Sequence, residues 1–138
     1  MIKQDLDAVH YRNHSTYQYE SAMRLIQAHS FKETDRLLDV GCGDGRVTAE
    51  LSRRLSKGNV VGLDLSPAMI SLAISSFKGD EYSNLEFHEC NAEEIPYRNE
   101  FDVVMSTNCL HWVGNKRKAF EGMMEALVPG GSLLVLMG

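Results

Sequence analysis

Leu37-Leu38-Asp39-Val40-Gly41-Cys42-Gly43-Asp44-Gly45-Arg46-Val47 reads as a short buried strand that runs into a glycine turn and then a helix. Such a unit brings bare backbone N–H groups close to a ligand and aims a helix N-terminus at it. The glycine spacing separates the ligands that use it. A dinucleotide fingerprint has the form G-x-G-x-x-G/A. Here Gly41, Gly43 and Gly45 fall on alternate positions, and Arg46 stands where the last fingerprint glycine belongs. This spacing disfavours a nicotinamide-dependent dehydrogenase. An acid, Asp39, also sits at the strand's end, just ahead of the first glycine.

The bulk properties narrow the class. A chain of 138 residues suffices for one domain with a sizeable core and is too short for two ordinary ones. With 43% hydrophobic and 24% charged residues, its composition is that of an ordinary globular protein. A net charge of −5 gives no broad basic face, so nucleic acid is not an expected partner. The three cysteines, Cys42, Cys90 and Cys109, lack C-x-x-C spacing and indicate neither a disulfide framework nor a zinc site. The start, Met1-Ile2-Lys3-Gln4-Asp5, lacks an apolar signal region, and no apolar run approaches the length of a membrane span. A cytoplasmic location without membrane contact is expected.

Working outward along the chain, residues 1–15 are polar, expected to be partly disordered or laid over a ligand. From Thr16 to about His29 the pattern is helical, with Tyr19, Ala22, Met23, Ile26 and Ala28 approximating one apolar stripe. Residues 1–30 thus make an N-terminal helical cover. Strands are expected at Arg36–Val40, Val60–Leu63, Leu85–His88, Phe101–Met105 and Ser132–Met137. Helices are expected at Arg46–Ser56, closed by Gly58, at Pro67–Phe77, burying Met69, Ile70 and Ala73, and at Asn115–Leu127. Ser66-Pro67 reads as an N-cap followed by the first helical residue. Pro129-Gly130-Gly131 reads as the turn into the last strand. Strands alternating with helices imply a parallel doubly wound α/β sheet with right-handed crossovers. Open sheets of this kind bind ligands at the C-terminal ends of their strands. Four polar elements fall there in order: Asp39–Gly45, Asp64-Leu65-Ser66, Asn91-Ala92, and Asn108 with Leu110-His111-Trp112.

The pattern D-x-G-x-G-x-G of Asp39–Gly45 resembles motif I of the class I S-adenosylmethionine-dependent methyltransferases. "VVGLDLSPAMI", "CNAEEIPY", "FDVVMSTNCLHWV" and "LVPGGSLLVL" stand where later motifs of that family fall, so the resemblance covers nearly all of 36–138. It implies a Rossmann-like sheet of strand order 3-2-1-4-5 in one domain spanning residues 1–138. The chain stops after the fifth strand, where family members add a final helix and an antiparallel hairpin. A truncated domain with an open sheet edge is therefore expected, and self-association through that edge stays open.

The resemblance also implies roles. Asp39 would face the cationic amino end of S-adenosylmethionine. Gly41 and Gly43 would admit the backbone to the cofactor, and Cys42 and Gly45 of the same turn would also line its site. Asp64 would accept from both ribose hydroxyls, which suits a carboxylate. Leu65 would pack on the adenine, and Asn91 and Ala92 would read its edge, although the commoner pattern has Asp at the position of Asn91. Asn108 and Leu110 would face the methionyl part. Cys42 has no partner base nearby in sequence, which argues against a nucleophilic cysteine. His111 alone reads more readily as a packed or solvated histidine.

"LHWV" followed by Asn115-Lys116-Arg117-Lys118-Ala119, and Tyr11-Arg12…Gln18…Ala22, resemble the juvenile hormone acid methyltransferases and, more broadly, the trans-aconitate methyltransferases. That likeness implies a small carboxylic acid as methyl acceptor, with Gln18 and Trp112 donating hydrogen bonds to its carboxylate. A carboxylate is already nucleophilic at pH 7, so no general base is needed. The alternative reading is a cofactor-binding fragment or regulatory module without catalysis.

Overall fold

A computed structural model describes residues 16–107 and 109–136. Residues 16–28 form helix α1. There follow β1 (Arg36–Val40), α2 (Arg46–Arg54), β2 (Asn59–Asp64), α3 (Pro67–Ser76), β3 (Leu85–Glu89), β4 (Phe101–Thr107), α4 (Lys116–Ala126) and β5 (Leu127–Leu136). Short 3-10 turns lie at Asp80–Tyr82, Ala92–Glu94 and Leu110–Trp112. The strands form one sheet in the expected order, β3-β2-β1-β4-β5. Its pairings are all parallel.

The central strands are apolar along their length because helices cover both faces. Successive side chains of β1 alternate between those covers. Leu38 and Val40 join Val61, Leu63 and Val104 under α4, against Ala119 and Met123. Leu37 joins Val60 and Met105 under Ile26 of α1 and Leu51 and Leu55 around the end of α2. By the same alternation Asp39 falls on the α2 side. Ile70 and Ala73 of α3 pack with Cys42 and Phe87 beside this second core.

Local capping sets the helix starts. The Ser66 hydroxyl accepts from the Met69 N–H at 3.2 Å, with Pro67 in the first helical position. The Asn115 side chain accepts from the Lys118 N–H at 3.0 Å and opens α4. The end of α2 differs from expectation. Gly58 has no left-handed backbone, and the amide of Asn84 caps the helix instead. Its Nδ2 donates to the Ser52 and Leu55 carbonyls at 2.9 Å each and reaches the Gly58 carbonyl at 3.5 Å. Glycine is needed at 58 because a Cβ there would run into the Asp35 carbonyl.

Three further expectations are corrected. Ala28 is exposed at the end of α1 rather than part of its buried stripe, and Met69 is only half-buried. The last strand begins directly after α4, with Pro129-Gly130-Gly131 inside it. The pairing jumps from Phe101↔Leu127 to Val103↔Ser132, so this segment bulges from the ladder and Gly130 takes φ +82°. No helix among the described residues is long and apolar enough to cross a membrane.

Candidate functional site

The parallel register places the C-terminal ends of β1, β2, β3 and β4 along one edge, and a cavity of about 490 Å³ opens there. The glycine turn forms its floor. Gly41, Gly43 and Gly45 all have positive φ (+82°, +56° and +86°), which L side chains adopt only with strain. Space differs among them. No described residue lies within 4 Å of where a Cβ on Gly43 would point, so that backbone is open among them. A Cβ on Gly41 would strike the Cys109 side chain. A Cβ on Gly45 would lie 2.7 Å from the Phe87 ring and 2.9 Å from the Ala73 methyl.

Gly45 therefore does not line the cavity, contrary to expectation. It serves close packing of the turn on α3 and β3 and forms the N-cap of α2. Gly41, Cys42 and Gly43 do line the cavity.

Asp64, at the end of β2, holds the turn in place. Its Oδ2 accepts from the Gly43 N–H and its Oδ1 from the Ser66 N–H, both at 2.9 Å. A carboxylate offers about four lone-pair sites, so both oxygens retain capacity for a further donor. Leu65 follows, 65% exposed on the cavity wall. An apolar side chain so placed offers a surface for a ring to cover.

Asn91 and Ala92 line the wall beyond β3. The Asn91 Oδ1 accepts from the Glu93 N–H at 2.9 Å and caps the 3-10 turn. Because that N–H requires an acceptor, the amide orientation is settled and its NH₂ is the end left over.

Asp39 is the most buried acid at the site, 2% exposed. Its Oδ2 accepts from the Thr48 hydroxyl at 2.9 Å. Its Oδ1 is buried with no hydrogen-bond partner among the described residues. Burial pushes the carboxyl up to about 7; Asp64 adds to the rise and the Thr48 hydrogen bond opposes it. The thiols of Cys42 and Cys109 are likewise pushed up, chiefly by burial, with the charges of Asp39 and Asp64 adding to it. Neither thiol is set up as a thiolate nucleophile.

The cavity also gathers residues far apart in the chain. Gln18 and Tyr19 of α1 share it with Trp112, which is 78% exposed at the mouth. Arg46 links these walls. It pairs with Asp44 at 3.2 Å, and its guanidinium carbon lies 5.1 Å from the centre of the Tyr19 ring.

Leu110 does not face the cavity as expected. Its side chain is 1% exposed and packed into the α4-side core, because the 3-10 turn over Leu110–Trp112 sends it inward while Trp112 goes outward. Asn108, and Tyr11 and Asn13 ahead of α1, lie outside the described residues. Sequence reasoning missed Thr48, whose only signal would have been a hydroxyl in the first turn of the helix facing the strand-end acid. It also missed Met69, Glu93 and Cys109 as cavity walls. No group of three or more potential metal ligands occurs among the described residues.

A family model described as a methyltransferase domain matches residues 37–131. The ubiquinone/menaquinone biosynthesis C-methyltransferase of Vibrio parahaemolyticus is 38% identical over 104 residues, covering 73% of this chain and 40% of that protein. The malonyl-[acyl-carrier protein] O-methyltransferase of Paenibacillus sp. is 32% identical over 121 residues, covering 83% and 44%. The chain thus spans less than half the length of these curated relatives. Among solved structures, phosphoethanolamine N-methyltransferase 2 of Haemonchus contortus, in complex with S-adenosyl-L-methionine, superposes with a TM-score of 0.76. It is 27% identical, and the match covers 84% of this chain and 27% of that one.

Proposed function

The chain belongs to the methyltransferase-domain family, and from that premise we propose that it binds S-adenosylmethionine and methylates the carboxylate of a small organic acid. The observation that carries the cofactor reading is the cavity wall itself. A glycine turn, a buried acid with one oxygen lacking a partner among the described residues, a strand-end carboxylate followed by an exposed leucine, and an amide are assembled at one sheet edge. Each matches a part of S-adenosylmethionine. Asp39 Oδ1 would receive the ammonium group. The open backbone at Gly43 would admit the methionyl and ribose parts, and the remaining lone pairs of Asp64 would accept from ribose hydroxyls. Leu65 would cover one face of the adenine, with Asn91 and Ala92 at its edge. The relative solved with bound S-adenosyl-L-methionine supports this reading.

S-adenosylmethionine supplies an electrophilic methyl group on a sulfonium sulfur. The protein's contribution is alignment and exclusion of water. Gln18 and Trp112, which line the same cavity, would donate N–H groups to the acceptor's carboxylate, fixing one oxygen in line with the methyl group. Their placement in one cavity supports the acid reading, as does the O-methyltransferase among the relatives. The C-methyltransferase among them makes carbon acceptors the competing class. Self-association through β5 belongs to this proposal as well, since β5 is an edge strand of the sheet among the described residues.

Calorimetric titration with S-adenosylmethionine, followed by a methyl-transfer assay on carboxylic acids, phenols, amines and activated carbon acids, tests both levels. Binding with turnover of acids alone is expected. Turnover of another class would overturn the acceptor assignment, and binding without any turnover would favour a cofactor-binding module.

A further inference from the structure

Thr48 stands in the first turn of α2, 0% exposed, and contributes nothing to the cavity wall. A threonine inside a helix commonly returns its hydroxyl to a carbonyl one turn earlier. This one donates across to β1, to Asp39 Oδ2 at 2.9 Å. Its β-branched side chain is stiff at χ1, so the donor is held by the helix. Asp39 is therefore tied from behind through one oxygen, while the other is buried without a partner among the described residues. The charged and titratable groups that face the carboxyl do not supply one. Asp64 repels it from the end of β2, and the thiols of Cys42 and Cys109 lie near enough to feel its charge. Arg46, in the same turn of α2, pairs with Asp44.

We propose that Thr48 is a positioning residue of the cofactor site: from outside the cavity, its hydroxyl fixes the Asp39 carboxyl group so that Oδ1 is presented to the ammonium group of S-adenosylmethionine. The inference rests on the cofactor assignment above and extends it to a residue that touches no cofactor.

The hydroxyl has a second effect. A donor to Asp39 favours the charged form against burial, and an arriving cation favours it further. Binding of the cofactor then draws a proton off Asp39, and affinity rises with pH through about 7. Without the hydroxyl, the carboxyl holds its proton to higher pH and the rise moves upward.

The test titrates the full chain with S-adenosylmethionine between about pH 6 and pH 9, as wild type, Thr48→Val and Thr48→Ser. A parallel titration uses 5′-methylthioadenosine, which carries the nucleoside and thioether but no ammonium group. Thr48→Val is expected to weaken S-adenosylmethionine binding at pH 7 about ten-fold and to shift the affinity profile to higher pH. Its affinity for 5′-methylthioadenosine should stay at the wild-type value, and Thr48→Ser should restore both affinity and profile. Wild-type affinity and pH profile in Thr48→Val would overturn the inference. So would an equal loss for both ligands, which marks a general structural role. A wild-type chain that binds neither ligand would defeat the cofactor assignment itself, and this inference with it.

Discussion

Asp39 shows what the site costs the fold. A carboxyl group buried with one hydrogen bond is destabilised in its charged form. In the folded protein it is pushed up to about 7 from an ordinary value of 3.8. The folded state therefore holds this proton more tightly than the unfolded chain. Stability contributed by the protonated form is full below about pH 4, falls as pH rises toward 7, and is absent above it. Asp39→Asn stays neutral throughout. It should flatten this slope and stabilise the fold by about 1–3 kcal/mol at pH 8 and, on the proposed cofactor reading, weaken S-adenosylmethionine binding about ten-fold. Urea unfolding across pH and calorimetry check the two halves; an unchanged slope would contradict the assignment. The acid at the strand end was legible because the sequence places it before the first glycine. Its burial and its bond to Thr48 were not, since they depend on how α2 docks on β1. The same limit explains Gly45 and Leu110. Both sit among cavity residues in sequence, but the backbone turns each of them inward.

At the scale of elements, legibility followed locality. Strands read from continuous apolar runs, and the N-cap Ser66 read from residues within one turn of the bond it makes. The end of α2 did not, because its cap arrives from Asn84, beyond β2 and α3. Asn84→Ala would leave two carbonyls of the helix end without this donor. A loss of about 1–3 kcal/mol is expected in chemical denaturation, large for a side chain outside the core. A loss within measurement error would show that water replaces the amide without penalty. Pro129-Gly130-Gly131 misled in another way. Its chemistry signals a turn, and a turn it makes, but the ladder with β4 resumes on either side and absorbs it as a bulge.

Across the described residues the sheet edge that carries the cavity also carries the chain's single tryptophan. Trp112 is exposed at the mouth with the His111 ring 4.8 Å away. An acceptor held between Gln18 and Trp112 would cover the indole, so its fluorescence should shift to the blue when acid and cofactor are both bound. Unchanged emission at saturation would place the acceptor elsewhere. On the proposed acid reading, Trp112→Phe should raise KM for the acid about ten-fold with little effect on cofactor affinity, because the indole N–H donor is lost while an aromatic ring remains. Cys42, Cys90 and Cys109 are the chain's entire complement of thiols, and all three line that same cavity. Their reactivity consequently doubles as a gauge of occupancy. A small alkylating reagent adds a fixed mass for each thiol it reaches, and a molecule filling the cavity shields the set together. Burial pushes all three thiols up, so alkylation at neutral pH is slow. The intact mass of the labelled chain would then rank a library of compounds by protection, before the methyl acceptor itself is known.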